Sequence, residues 1–261
     1  MNSSPQVLGL TALCIVAMML TLWIVSLIKK DASIVDIFWG LGFVMVGWAS
    51  WQLSDANSQR GTVLAVLTTL WGVRLGGYLW WRNHGKGEDF RYVAMRKHYG
   101  VRFPLISLVT VFALQGVLMF VVSIPVQLAQ QPSDESINVF GVIGVLVWFI
   151  GVMFESVGDV QLARFKARPE NSGKVMDKGL WRYTRHPNYF GDACAWWGIA
   201  IVALQSNTGW LGLLGAGAMS FLLVRVSGVP MLEKTMHKRR PDYVAYQERT
   251  SGFIPRKPKN R

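Results

Sequence analysis

"RYTRHPNYFGDACAWWGIAIVAL", residues 182–204, is the stretch on which the fold turns. Its first eleven residues hold two arginines, a histidine, an asparagine, two tyrosines and a closing carboxylate, Asp192, and its last twelve are apolar. Ionisable groups are costly in hydrocarbon and mark a functional site by default, so a polar run leading into an apolar helix needs a physical reason.

Working outward, the chain has 261 residues, of which 51% are hydrophobic and 16% charged. That balance disfavours a soluble globule. Crossing a hydrocarbon core of ~30 Å takes roughly 20 helical residues. Apolar runs of about that length lie near 7–28, 34–53, 61–81, 104–128, 138–157, 190–206 and 209–227. Backbone groups in lipid must be satisfied internally, so each run is read as a helix. The expectation is an all-α integral membrane protein with seven transmembrane helices, forming one domain over 1–261. The first run follows "MNSSPQ", which carries no Lys or Arg, and it is read as a retained helix and not a signal peptide. Cys14 and Cys194 fall within spans without metal-ligand spacing, so no metal site and no disulfide framework are expected.

The formal charge of +12 raises the question of nucleic acid, and its distribution answers it. Of 27 Lys and Arg, 24 follow span 1, lie between spans 3 and 4 or spans 5 and 6, or follow span 7. The positive-inside rule then places the N-terminus outside and the C-terminus in the cytosol. The excess charge reports topology and contact with anionic headgroups, not nucleic acid.

Within the spans the ionisable residues are Asp36, Arg74, Glu155, Asp159, Asp192 and Arg225, with Glu233 just beyond the last. The inferred topology sets all of them near the cytosolic face, which suggests a shared polar cavity. Two long inner connections, "RNHGKGEDFRYVAMRKHYG" and "VQLARFKARPENSGKVMDKGLWRYTRHPNYFG", read as its cover. Cations interleaved with glycine and asparagine suit phosphate oxygens. Asn188, Tyr189 and Asp192 at helical spacing suit the amide-bearing half of the same ligand, and a nicotinamide dinucleotide has that polarity. No GxGxxG follows a strand, and "GAG" at 215–217 lies in an apolar helix, so a Rossmann domain is excluded.

"FESVGDVQLARFKAR", "KGLWRYTRHPNYFGD" and "SGVPMLEKTMHKRRPDYVAYQERTSGFIP" together resemble the steroid 5α-reductase family, in its bacterial branch of multi-span membrane proteins. The resemblance implies a bacterial inner-membrane enzyme with a cytosolic active site, using NADPH to saturate the C=C bond of an α,β-unsaturated ketone such as a 3-oxo-Δ4 steroid. The substrate would enter from the bilayer. The resemblance also implies phosphate contacts at Asn83, Lys86 and Lys166, supported by Arg82, Arg164 and Arg185. The nicotinamide side would involve Glu155, Asp159, Asn188 and Asp192, with Glu233 or Tyr243 closing from the tail, and His186 and Tyr189 would also bind the cofactor. Steroid-reducing relatives pair a span-2 glutamate with a span-3 tyrosine one turn before an arginine. Here the matching places hold Asp36 and Trp71, and Tyr78 follows Arg74 by one turn. Asp36, Tyr78 and Arg74 are therefore the expected catalytic set.

Two other functions compete. A membrane methyltransferase of the isoprenylcysteine or phospholipid type would bind S-adenosylmethionine, whose sulfonium wants carboxylates and aromatics, not two basic loops. A transporter would want polar sites near the midplane, whereas these gather at one face.

Overall fold

Val7, Thr11, Ile15, Met19, Leu22 and Ser26 recur every three or four residues along the first helix, α1 (Ser4–Lys29), and are its buried face. The computed structural model describes residues 4–54, 59–129, 137–234, 236 and 240–259. Its further helices are α2 (Ile34–Leu53), α3 (Gln59–Asn83), α4 (Phe90–Tyr99), α5 (103–122) and α6 (Ile124–Leu128). After these come α7 (Val139–Lys166), α8 (Pro187–Ala203), α9 (Gly212–Phe221), α10 (Val229–Glu233) and α11 (Tyr243–Arg249). Among the described residues there is no strand, only an isolated parallel bridge between Thr184 and Ser251.

Among the described residues, six helical stretches are long and apolar enough to cross a membrane: α1, α2, α3, Phe90–Val122, α7 and Gly209–Glu233. The sixth expected span, 190–206, corresponds to α8, whose 17 residues reach only about 25 Å at ~1.5 Å per residue. The fourth expected span is displaced. It begins earlier, because Asp89 accepts a hydrogen bond from the Arg91 amide at 3.0 Å and starts α4 inside the supposed cover loop. Gly100, at φ +52°, ends that helix. Ser123 interrupts the run before 128, and Pro125 then takes a place in the first turn of α6, where its missing N–H is harmless.

The single domain read from the sequence is organised as two compact units, Met1–Val142 with Ile199–Gly215, and Ile143–Gly198 with Ala216–Arg261. All three crossings fall inside helices (α7, α8 and α9), so no composition shift marks them.

In unit 1, α2 and α3 pack through glycine. A Cβ on Gly40 would strike the Gly72 carbonyl, and one on Gly72 the Gly40 carbonyl. Small residues let helix backbones close up where lipid supplies no hydrophobic drive. Phe43 and Trp71, both buried, meet edge-on beside this contact at 5.6 Å. Thr11 and Gln127 add a buried side-chain hydrogen bond of 2.6 Å, the kind of link worth roughly 0.6–2 kcal/mol in a membrane bundle. Arg60, only 2% exposed, donates to the carbonyls of Ala129 at 2.7 Å and Gln205 at 3.2 Å. A cation at helix carboxyl ends offsets their partial negative charge.

In unit 2, α7 and the first part of α8 meet in the same way, and this contact builds the candidate site.

Candidate functional site

Glycines on α7 and α8 share a spacing of seven. Gly151 faces the Gly191 carbonyl and the Ala195 backbone, and Gly198 faces the Gly144 carbonyl and the Trp148 backbone, each too closely to admit a Cβ. Gly158 lies against Pro187 and the Asn188 amide, where a Cβ would stand 3.2 and 3.4 Å away. Residues one turn apart share a helix face. The seam therefore brings Glu155 and Asp159 of α7 against α8 at Gly191 and Asn188, and Asp192 stands one turn on from Asn188. Asn188 Nδ2 donates to Asp159 Oδ1 at 3.3 Å. Glu155 is 3% exposed and Asp159 5%, while Asp192 is half-buried. Of the expected set, Asp159 and Asn188 are bonded across the seam and Glu155 lies against Gly191.

The turn before α8 carries a second cluster. Arg185 Nε donates to Glu233 Oε1 at 2.7 Å, and its Nη1 donates to the carbonyls of Thr250 at 2.7 Å and Gln247 at 3.1 Å. His186 Nε2 lies 2.9 Å from Glu233 Oε1, and its ring stacks on Tyr189 with centroids 5.5 Å apart. Gln247 donates to the other Glu233 oxygen at 3.1 Å. Arg185 was expected to face phosphate. Its guanidinium is instead spent on Glu233 and tail carbonyls, so it holds the turn to the tail.

The tail reinforces that hold. Thr184 donates to the Phe253 carbonyl at 2.8 Å, the Arg185 amide to Ser251 at 2.9 Å, and Tyr246 OH to the Trp181 carbonyl. Tyr243 and Tyr246 are buried in this packing. Burial, then the Glu233 charge, pushes the Tyr243 hydroxyl well above its ordinary pKa, so it stays a donor. Arg164 and Lys166 lie at the exposed end of α7.

Unit 1 holds the remaining expected residues. Asp36 was paired with Tyr78 by sequence; its carboxylate accepts instead from Tyr92 OH at 2.8 Å and from Arg91 Nη2. Arg91 also reaches Asp89 at 2.8 Å. Glu88 takes Arg96 through both oxygens, at 2.8 and 3.0 Å, and the Ala32 amide at 2.8 Å. Burial alone would raise the Glu88 pKa, but those donors hold it below the usual carboxylate range. Tyr78 lies against Trp81 at 6.0 Å and under the Arg82 guanidinium at 5.7 Å, and Arg74 is half-buried between Trp71 and Tyr78 on α3. Asn83 and Lys86 line a cleft of about 300 Å³ together with Gly87, Glu88, Asp89 and Phe90. Sequence reasoning missed Glu88, Arg91, Tyr92 and Arg96. Their signal was the acid-then-base order of "GEDFRY", residues 87–92, inside a connection read as irregular cover.

Comparison with known proteins adds kinship. The chain is 27% identical to an uncharacterised protein of Schizosaccharomyces pombe, over 98% of this chain and 81% of that one. No solved structure matches it. The family described as "Protein of unknown function (DUF1295)" matches residues 22–250, and the chain belongs to that family.

Proposed function

We propose that this protein is a membrane-embedded, NADPH-dependent reductase that saturates the C=C bond of a lipophilic α,β-unsaturated ketone resembling a 3-oxo-Δ4 steroid. In this reading α8 is a seventh span, the N-terminus lies outside, and the C-terminus and active site face the cytosol of a bacterial inner membrane. Membership of a steroid 5α-reductase-like membrane family supports it.

The observation that carries the reading is the Asp159–Asn188 pair, a buried carboxylate and a half-buried amide offered by two packed helices. An acceptor beside a donor is the complement of a carboxamide. The buried Nδ1 of His186, with no hydrogen-bond partner among the described residues, adds a further polar atom next to that pair in sequence. Exposed cations at the end of α7 suit phosphates. By donor chemistry, then, the residues fit a nicotinamide dinucleotide.

When bound, that cofactor supplies a hydride to the β carbon of the enone. The chain's own residues supply the rest. Asp159 and Asn188 hold and orient the carboxamide; Arg164 and Lys166 neutralise phosphate charge. Arg185, Glu233 and the tail keep the turn before α8 in place, so Asn188 keeps its direction. A hydrogen-bond donor is needed where negative charge grows on the ketone oxygen, and one proton must reach the α carbon to balance the hydride. The sequence assigns the donor role to Asp36 with Tyr78, and Tyr92 is the tyrosine bonded to Asp36.

The test is NADPH oxidation by the purified protein over a panel of enones that includes 3-oxo-Δ4 steroids, with product analysis for the two new C–H bonds. Substrate-dependent oxidation is expected, with Tyr92→Phe slowing it more than Tyr78→Phe. Binding of S-adenosylmethionine without binding of NADPH would replace the reading with a methyltransferase.

A further inference from the structure

Gln115 is a polar side chain inside an apolar span, "LISLVTVFALQGVLMFVV" at residues 105–122. Polar groups within a membrane are costly and mark function by default. Gln115 is half-buried on α5, with Gly116 buried beside it and Leu114 and Val117 exposed. Its amide therefore stands at the border between the packed core of unit 1 and the side that faces lipid.

A widened turn puts it there. Leu108–Ala113 of α5 is π-helical, a geometry that adds a residue to the turn and recurs at functional sites. Phe103, Ser107 and Val111 are buried at intervals of four, yet Leu114, one regular turn on, is exposed. One added residue rotates all that follows by about 100°, and Gln115 is turned towards α2. One turn beyond the amide, Met119 lies so close to Gly42 that a Cβ there would meet its Sδ and Cε. That contact holds α5 against α2.

On α2 and α4 the amide finds Asp36 and Tyr92. Gln115 Nε2 donates to Tyr92 OH at 3.5 Å and also reaches Asp36. Donor accounting decides which group has capacity for a ligand. Asp36 accepts from Tyr92 OH at 2.8 Å on one oxygen and from Arg91 Nη2 on the other. Tyr92 has one hydroxyl proton, and that short bond uses it. Gln115 has two N–H groups, and its bond to Tyr92 is at the long limit of a hydrogen bond. It is the donor that turns to an incoming acceptor at the least loss. Trp39, one turn from Asp36 on α2 and half-buried against Phe43 at 5.2 Å, supplies an apolar wall beside it.

We propose that Gln115 donates to the carbonyl oxygen of the lipophilic substrate, so that Asp36, Tyr92 and Gln115 form the polar end of its site. The assignment rests on the reductase reading for the ketone and adds the residue that recognises it. Recognition of the oxygen falls to Gln115, while Tyr92 acts on the rate.

The full chain is reconstituted in phosphatidylcholine nanodiscs, and its thermal unfolding is followed while trans-2-decalone or its hydrocarbon, trans-decalin, is titrated. Affinities are expressed per mole fraction in the disc, and ligand that binds only the folded state raises the midpoint. Wild type is expected to prefer the ketone by about three- to tenfold, the net worth of one neutral hydrogen bond. Gln115→Leu, which keeps an apolar side chain of similar length, is expected to lose the preference. Tyr92→Phe is expected to keep it, as is Thr21→Val, which removes a hydroxyl from the exposed side of α1. No preference in wild type, or a preference that survives Gln115→Leu, overturns the proposal; so does its loss in Tyr92→Phe alone. NADPH titrated on the same samples separates the two ideas. A ketone preference that depends on Gln115 without NADPH binding sinks the reductase reading alone, and NADPH binding without a ketone preference sinks the Gln115 assignment alone.

Discussion

Two helix pairs in this chain use the same packing device and end with different chemistry. In unit 1, Gly40 and Gly72 bring α2 and α3 together, and the side chains beside the contact are Phe43 and Trp71. In unit 2, Gly151, Gly191 and Gly198 do the same for α7 and α8, and beside them stand Glu155, Asp159 and Asn188. Glycine at a seam shortens the distance between axes whatever flanks it. One pair makes a core with that proximity. The other presents buried carboxylates and an amide at a fixed spacing, which a ligand can read.

The largest effect expected is loss of folding from a branched side chain at either seam. Gly72→Val and Gly151→Val put a Cβ onto backbone atoms that cannot swing aside, and destabilisation of about 3 kcal/mol or more follows. Size-exclusion profiles in detergent would report it; a monodisperse peak from both variants would break the comparison at its base. Next comes Asn188→Ala, which touches chemistry without touching packing. It is expected to weaken NADPH binding by about tenfold or more while moving the unliganded unfolding midpoint little, since one lost hydrogen bond is worth about 1 kcal/mol. Gly158→Ala sharpens the contrast. Its Cβ would stand 3.2 Å from Pro187 and 3.4 Å from the Asn188 amide, so a few-fold loss of affinity, roughly 1 kcal/mol or less, is expected in a protein that still folds.

The smallest effect is electrostatic. Glu88 and Asp89 both titrate below their ordinary range: burial acts upward on each, and Arg96 on Glu88 and Arg91 on Asp89 outweigh it. A folded-state pKa below the unfolded one gives stability that is complete above about 4.3 for glutamate and is lost as pH falls through the folded value. Unfolding midpoints of wild type should therefore drop more steeply on acidification than those of Glu88→Gln, by ~0.2–1 kcal/mol. Parallel curves would remove Glu88 from the account.

Sequence reading was strongest where physics is local. Five of the apolar runs correspond in place to membrane-length helices, because twenty apolar residues have few other options. Glu155, Asp159, Asn188 and Asp192 were legible as pairs because a period near four puts each pair on one helix face. What escaped was register and long-range pairing. Nothing in the residues near Asp36 says that Tyr92, 56 positions on, will reach it while Tyr78 will not. Arg185 looked like a phosphate ligand because its type suits phosphate, yet its partners Glu233, Gln247 and Thr250 lie 48 to 65 positions away. The glycine seam was visible letter by letter, but which glycine meets which depends on helix pairing that periodicity does not encode.

The central claim is that the α7–α8 seam holds a dinucleotide through Asp159 and Asn188. Thermal unfolding of the purified protein, with NADPH and with S-adenosylmethionine titrated separately onto wild type and Asn188→Ala, tests it most directly. The account predicts a midpoint that rises with NADPH in wild type, rises far less in the variant, and ignores S-adenosylmethionine in both. A wild-type midpoint indifferent to NADPH, or an equal rise in the variant, would contradict it.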